Sequence, residues 1–204
     1  MRKIICSLLI VMAPAALLAA ADRALVKKAE AYLNGITGLS GGFSQISNGK
    51  KERGAFYMLR PGRVRLDYDK LPVQLISNGR DLYFYDKLLD QITTVPLSST
   101  PAGILVRKKI DLTGADIVVS ETEKSKDGFS LKMHIRDQEG IGNMTVVFSS
   151  NPVSLRSWVI DDATGASTAV EFNGLRVRTE FPKGYFELQR VKATSNSGGD
   201  SFYD

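Results

Sequence analysis

From Phe43 onward, the apolar residues of this 204-residue chain recur at every second position, and turn signals interrupt them at short, regular intervals. That pattern confines most of the chain to short antiparallel strands joined by hairpins. The expected strands are Gly42 to Ile46, Gly54 to Leu59, Arg63 to Tyr68, Val73 to Ser77, Asp81 to Asp86 and Gln91 to Val95. After a break they resume as Ile117 to Glu123, Phe129 to Arg136, Asn143 to Phe148, Leu155 to Asp161 and Thr168 to Asn173. Asn78-Gly79 reads as a two-residue type I′ hairpin turn, which needs positive φ at both central residues. Asp127-Gly128 and Thr164-Gly165 mark further turns. Phe181 to Leu188, with Pro182 and Gly184, reads as a loop ending in a short strand.

Two stretches break the period. Leu25, Val26, Ala29, Leu33 and Ile36 recur at three- and four-residue spacing opposite Lys27, Lys28 and Glu30, which predicts one amphipathic helix. Asp22 is placed to cap its first turn, Asn34-Gly35 offers a left-handed stop, and a loop with Gly38, Gly41 and Gly42 follows. Pro101 to Ile110 reads as a short helical or loop excursion. About eleven strands make a sheet too wide to stay flat, so it is expected to curl into a barrel or partial barrel. Val64, Leu66 and Tyr68 share one face, while Arg63, Arg65 and Asp67 share the other, which is expected to be wet. The amphipathic helix and the excursion are the elements available to cover the apolar face.

The N-terminus supplies an address. Arg2 and Lys3 precede 18 uncharged residues, Ile4 to Ala21, which end in Ala19-Ala20-Ala21 before Asp22. This is the layout of a secretory signal, with cleavage expected after Ala21 and the mature protein expected in the periplasm. The sole cysteine, Cys6, lies inside that segment, so the mature chain is expected to carry neither a lipid anchor nor a disulfide. Removing the signal leaves 183 residues with 25 basic and 22 acidic side chains, a length suited to one domain over 22–191. Residues 192–204, polar and glycine-rich, are expected to form a flexible tail.

The residues that carry chemistry are few. His134 is the only histidine, and it sits within a strand between Met133 and Ile135. No thiol remains in the mature chain, no glycine-rich phosphate loop precedes a helix, and the acidic pairs Asp161-Asp162 and Glu121 with Glu123 fall at strand ends and turns. The basic residues are dispersed among acids, which argues against a nucleic-acid groove. Binding, rather than catalysis, is the expected class, with no cofactor and no metal. A curled sheet with one apolar face is a container for an apolar ligand.

An ordered series of residues sharpens that reading. Phe43-Ser44-Gln45 in the first strand is followed by a strand ending in Arg60-Pro61 and by the alternating strand Arg63 to Tyr68. Then come Asn78-Gly79, the aromatic strand Leu82-Tyr83-Phe84-Tyr85-Asp86, Gln91, and the Pro96-Leu97 and Thr100-Pro101 passage. This series, from Phe43 to Leu105, resembles the periplasmic outer-membrane lipoprotein carrier family, LolA. The resemblance implies a mainly β fold, an unclosed antiparallel β-barrel whose apolar concave face is lidded by helices and holds acyl chains. It implies acylated lipoproteins as cargo and an inner-membrane lipoprotein-releasing ABC transporter as donor. The acceptor it implies is an outer-membrane receptor or the outer membrane itself, and the carrier is expected to be monomeric. The family's gate arginine maps onto Arg60, where it would bond lid carbonyls, with Pro61 fixing its backbone. The family's frequent ligand-facing aromatic falls at Val64 here. Met58, Leu66, Phe84, Ile92, Met133, Met144 and Trp158 complete the expected acyl-chain lining. A lipoprotein-sensing regulatory module on the same half-barrel is the alternative, although such modules carry a second domain for which 183 residues leave no space.

Overall fold

A computed structural model describes residues 22–189. The expected signal, residues 1–21, and the expected tail, residues 192–204, lie outside the described residues. The chain begins with α1 (Arg23–Gly35), whose buried face is Leu25, Val26, Ala29 and Leu33. The Asp22 carboxylate caps it, accepting from the Ala24 and Leu25 amides at 2.9 and 3.4 Å. Lys124 lies 3.0 Å from the same carboxylate and, with those amides, holds the Asp22 pKa below the usual range. The helix does not end in a left-handed residue. Ile36 continues in extended backbone, and Asn34 is used elsewhere.

Eleven strands follow: β1 (Gly38–Ser47), β2 (Lys50–Leu59), β3 (Arg63–Tyr68), β4 (Val73–Asn78), β5 (Asp81–Asp86) and β6 (Gln91–Pro96), then β7 (Ile117–Lys124), β8 (Gly128–Ile135), β9 (Asn143–Ser150), β10 (Val153–Asp161) and β11 (Ser167–Arg178). They form one antiparallel sheet in the order β6-β5-β4-β3-β2-β1-β11-β10-β9-β8-β7. Two meanders are therefore joined by a single long-range seam, β1 against β11, and the sheet stays unclosed, with β6 and β7 as its edges.

The glycines after α1, expected in a loop, belong to β1. A Cβ on Gly42 would lie 2.4 Å from the Asn173 side chain and one on Gly41 2.9 Å from the Asn173 carbonyl, so the seam closes only because these side chains are missing. The type I′ turn is also elsewhere than expected. Asn48 and Gly49 carry φ of 51° and 72° between the paired residues Ser47 and Lys50, so they make it. At Asn78-Gly79 only Gly79 has positive φ, and Asn78 instead caps its own turn by accepting from the Arg80 and Asp81 amides. The segment after β11 forms turns rather than a strand.

The excursion between β6 and β7 contains two short 3-10 turns, Leu97–Ser99 and Pro101–Val106. Its Leu97, Ile104, Leu105, Val106, Ile110 and Leu112 join the α1 residues and the concave sheet face in one core cluster. Asn34 binds the excursion as a strand neighbour would, donating to the Ile110 carbonyl at 2.7 Å and accepting from its amide at 2.9 Å. Glu30 accepts from the Leu112 amide at 2.7 Å. Helix and excursion thus form one lid.

The convex face departs from the expectation of a wet surface. Over β2 to β5 it carries Tyr57, Arg65, Ile76 and Tyr83 in register, with Asp67, Gln74 and Tyr85 one pleat away. Residues 181–189 fold back onto it. Tyr185 packs edge-on to Tyr57 at 5.1 Å and accepts a 3.0 Å hydrogen bond from Arg65 through its carbonyl. The Arg65 guanidinium also stacks 4.8 Å above the Tyr185 ring and pairs with Asp67 at 2.7 Å. Desolvation first, then the hydrogen bond and charge of Tyr57, push the Tyr185 hydroxyl up to about 12.

Candidate functional site: a lidded apolar cavity

The concave face is not filled evenly. Under α1 and the excursion, the β8 and β9 side chains Leu131, Met133, Met144, Val146 and Phe148 are fully enclosed and interdigitate as solid core. Over β2 to β5 the same inward positions leave a cavity of about 340 Å³. Met58 and Val64 face each other across β2 and β3, Leu66 stands opposite Leu75, and Leu82 carries the row onto β5. Leu97, Leu105 and Val106 of the lid roof it, and Trp158, Ile160 and Val170 close it toward the second meander. The polar lining is Gln45, Thr168 and Asp162, at or beyond the ends of β1, β11 and β10, together with Ser99 and Thr100 of the lid. An aromatic group separates cavity from core. Phe56, Trp158 and Phe172 pack with ring centroids 4.6 to 5.7 Å apart.

Of the residues expected to line a cavity, Met58, Val64, Leu66 and Trp158 do so. Met133 and Met144 lie in the solid core, with no exposed area. Phe84 is on the concave face opposite Leu75 but stands one strand in from the sheet edge, outside the cavity lining and 45% exposed. Ile92 pairs with Tyr85 and so belongs to the convex side. The lining that sequence alone missed includes Leu75, Leu82 and Tyr68. The period-two register of β3 extended to its neighbours identifies the first two, and Val64 and Leu66 already marked Tyr68's face.

Arg60 stands where β2 leaves the sheet. Its amide donates to the Thr37 carbonyl at 2.8 Å, which fixes the turn under the end of α1. The guanidinium is buried, and its Nε and Nη2 find no hydrogen-bond partner among the described residues. Burial pulls its pKa down, opposed by Tyr32 of α1. The expected ties from these two nitrogens to lid carbonyls are therefore not made. The lid is fastened through backbone one residue beyond Pro61, where the Gly62 amide donates to the Val106 carbonyl at 2.7 Å. Gly62 has φ +72°, and a Cβ there would lie 2.5 Å from the Gly79 Cα. Ser77, fully buried, donates to the Gly62 carbonyl at 2.8 Å and locks the turn.

His134 is half-buried on β8, 3.7 Å from Glu139, and faces away from the core residues of its strand. Among the described residues, no group of three or more His, Cys, Asp or Glu side chains is placed to hold a metal ion. Among the same residues, no helix is long and apolar enough to cross a membrane.

An unclosed antiparallel half-barrel with a two-part lid over an apolar cavity defines a binding protein for apolar ligands. The family model described as outer membrane lipoprotein carrier protein LolA matches residues 34–189, and the chain belongs to that family. It is 25% identical over 197 residues to an outer-membrane lipoprotein carrier protein of Neisseria meningitidis serogroup B, covering 92% of this chain and 91% of the relative. It is 28% identical to the protein of the same description from Methylococcus capsulatus, covering 72% and 74%. A crystal structure of a DUF1329 family protein from Desulfovibrio piger shares the fold, with a TM-score of 0.50 at 12% identity over 81% of this chain and 96% of that one.

Proposed function

We propose that this protein is a periplasmic carrier that takes acylated lipoproteins from the inner membrane to the outer membrane, with the acyl chains held in the cavity between β2–β5 and the lid. The observation that carries this reading is the apolar wall of Met58, Val64, Leu66, Leu75 and Leu82 beneath Leu97, Leu105 and Val106 of the lid. Each methylene moved from a bilayer into water costs about 0.8 kcal/mol, so two or three long chains need a container to cross an aqueous space. Release without a nucleotide asks for loose binding and a displaceable lid. A roof held to the sheet turn by a short backbone contact suits that requirement. In this reading Arg60 is a gate whose two unpaired donors lie beside the lid helix.

The test is a release assay. Purified mature protein is incubated with membranes that contain a lipoprotein and its releasing transporter, and the soluble fraction is examined for acylated cargo. Wild-type protein comigrates with cargo and passes it to outer membranes, while Arg60→Leu accumulates cargo and transfers it poorly. Failure of the wild type to comigrate with any acylated cargo overturns the reading.

A further inference from the structure

The two edges of the sheet are built differently. β7 is guarded, since Ser120, Glu121, Glu123 and Lys124 are exposed along it and a bulge between Val119 and Glu121 breaks its ladder. Charges and bulges of this kind keep other strands from pairing. β6 has neither. Its sequence Gln-Ile-Thr-Thr-Val-Pro carries no charge, its register with β5 runs without a bulge, and every residue but the half-buried Ile92 is exposed.

The direction of its hydrogen-bonding groups follows from the pairing. Leu97, the next residue after β6, donates to the Arg80 carbonyl at 2.9 Å. Antiparallel ladders alternate every second residue, so Val95, Thr93 and Gln91 also turn toward β5. Ile92 and Thr94 therefore aim their amides and carbonyls outward, and neither has a backbone partner beyond the sheet among the described residues. Pro96 lacks an N–H and ends the usable edge.

This edge is continuous with the cavity. Val95 is paired with Leu82, a cavity-lining residue, and Phe84 stands opposite Leu75, another. Val95 and Phe84 are 38% and 45% exposed, so the apolar lining spills out of the cavity onto the concave side of the edge strand. A segment added to β6 would place alternate side chains beside that strip.

We propose that the β6 edge is a peptide site, which takes the extended polypeptide adjoining the acyl anchor of the cargo as a twelfth strand. The inference rests on the carrier reading above. Outward main-chain groups at Ile92 and Thr94 bind any sequence in extended form, as suits a carrier whose cargoes share an acylated end. The lack of charge on β6 leaves the choice of cargo unfiltered by side-chain sign.

The probes are palmitate, a palmitoylated six-residue peptide of Ser, Thr and Val, and the same acyl peptide with alternate amides N-methylated. Binding is measured by calorimetry. The acyl peptide is expected to bind about tenfold more tightly than palmitate, the worth of a few main-chain hydrogen bonds, and N-methylation removes the gain. Thr94→Pro deletes one outward amide while leaving the ladder to β5 intact, and it should cut the gain without changing palmitate affinity. If palmitate binds but the peptide adds nothing, or if N-methylation is without effect, the edge proposal fails and the cavity reading stands. If palmitate does not bind at all, the cavity reading fails and takes the proposal with it. A β6-to-β6 dimer found by sedimentation, with no peptide gain, assigns the edge to a second copy and overturns the proposal.

Discussion

The two meanders follow the same alternation of apolar and polar residues, yet they bury opposite things. In the second, β8 and β9 turn Leu131, Met133, Met144 and Phe148 into a solid interior beneath the lid, while Lys132 and His134 are half-buried on the convex side. In the first, the concave side of β2 to β5 keeps a cavity and the convex side is covered by residues 181–189. A half-barrel whose inner face is partly hollow has less apolar contact to hold it. The first meander recovers some of that contact on its outer face, through Tyr57, Arg65 and the returning aromatic segment. Stability and capacity are thus placed on opposite sides of the same strands.

The strongest way to break this comparison is truncation of matched inward residues. Phe148→Ala, which hollows the solid half, is expected to cost about 3–5 kcal/mol in urea unfolding, whereas Val64→Ala on the cavity wall costs under about 1 kcal/mol. Equal losses would mean that the cavity does not persist in solution. Next in size is Gly62→Ala, with a loss of about 2 kcal/mol, because both its left-handed backbone and its contact with Gly79 forbid a Cβ. Amide exchange at Gly62 should rise together with the stability loss, since its N–H is the one that holds Val106.

Smaller effects test the outer face. Arg65→Ala should cost about 1–2 kcal/mol, since it removes the bond to the Tyr185 carbonyl and the stacking on its ring. The alkaline limb of stability should bear the same signature. The unfolded tyrosine titrates near 10 and the folded Tyr185 at about 12, so its contribution is complete below pH 10 and is lost between about 10 and 12. Tyr185→Phe should flatten that decline in a pH series of thermal melts. Smallest of all is Arg60→Leu. It deletes two buried unpaired donors and should leave the fold unchanged or more stable by under about 1 kcal/mol, even where cargo transfer suffers. Marked destabilisation would show that the guanidinium is a structural prop.

The local features of the fold were legible from sequence. The bounds of β3 and β5 and the capping of α1 by Asp22 agree with the expectation, because alternation and side-chain capping are properties of a few adjacent residues. What escaped depends on partners far along the chain. Gly38 to Gly42 look like a loop until Asn173 and Leu175 press against them. Arg65 looks solvated until Tyr185 folds over it. Met133 and Met58 have the same chemistry and both point to the concave side, and only what packs around each makes one solid core and the other cavity lining. Asn48-Gly49 and Asn78-Gly79 are identical dipeptides, and strand register alone decides which of them becomes the type I′ turn.

The β1–β11 seam bears on the order of assembly. Gly38 pairs with Arg178 and Ser47 with Thr168, so the residues that unite the meanders are among the first and last to enter the sheet. Each meander has only neighbouring pairings to make, and those close early. The seam closes over more than a hundred intervening residues and comes late. Until β11 docks, β1 keeps a bare side rich in glycine, the stretch of the chain least able to resist pairing with a stray strand. Loss of Ser167–Arg178 would therefore do more than shorten the sheet by a strand, for it would part the two meanders as a sheet and leave only α1, the excursion and the shared core to hold them together.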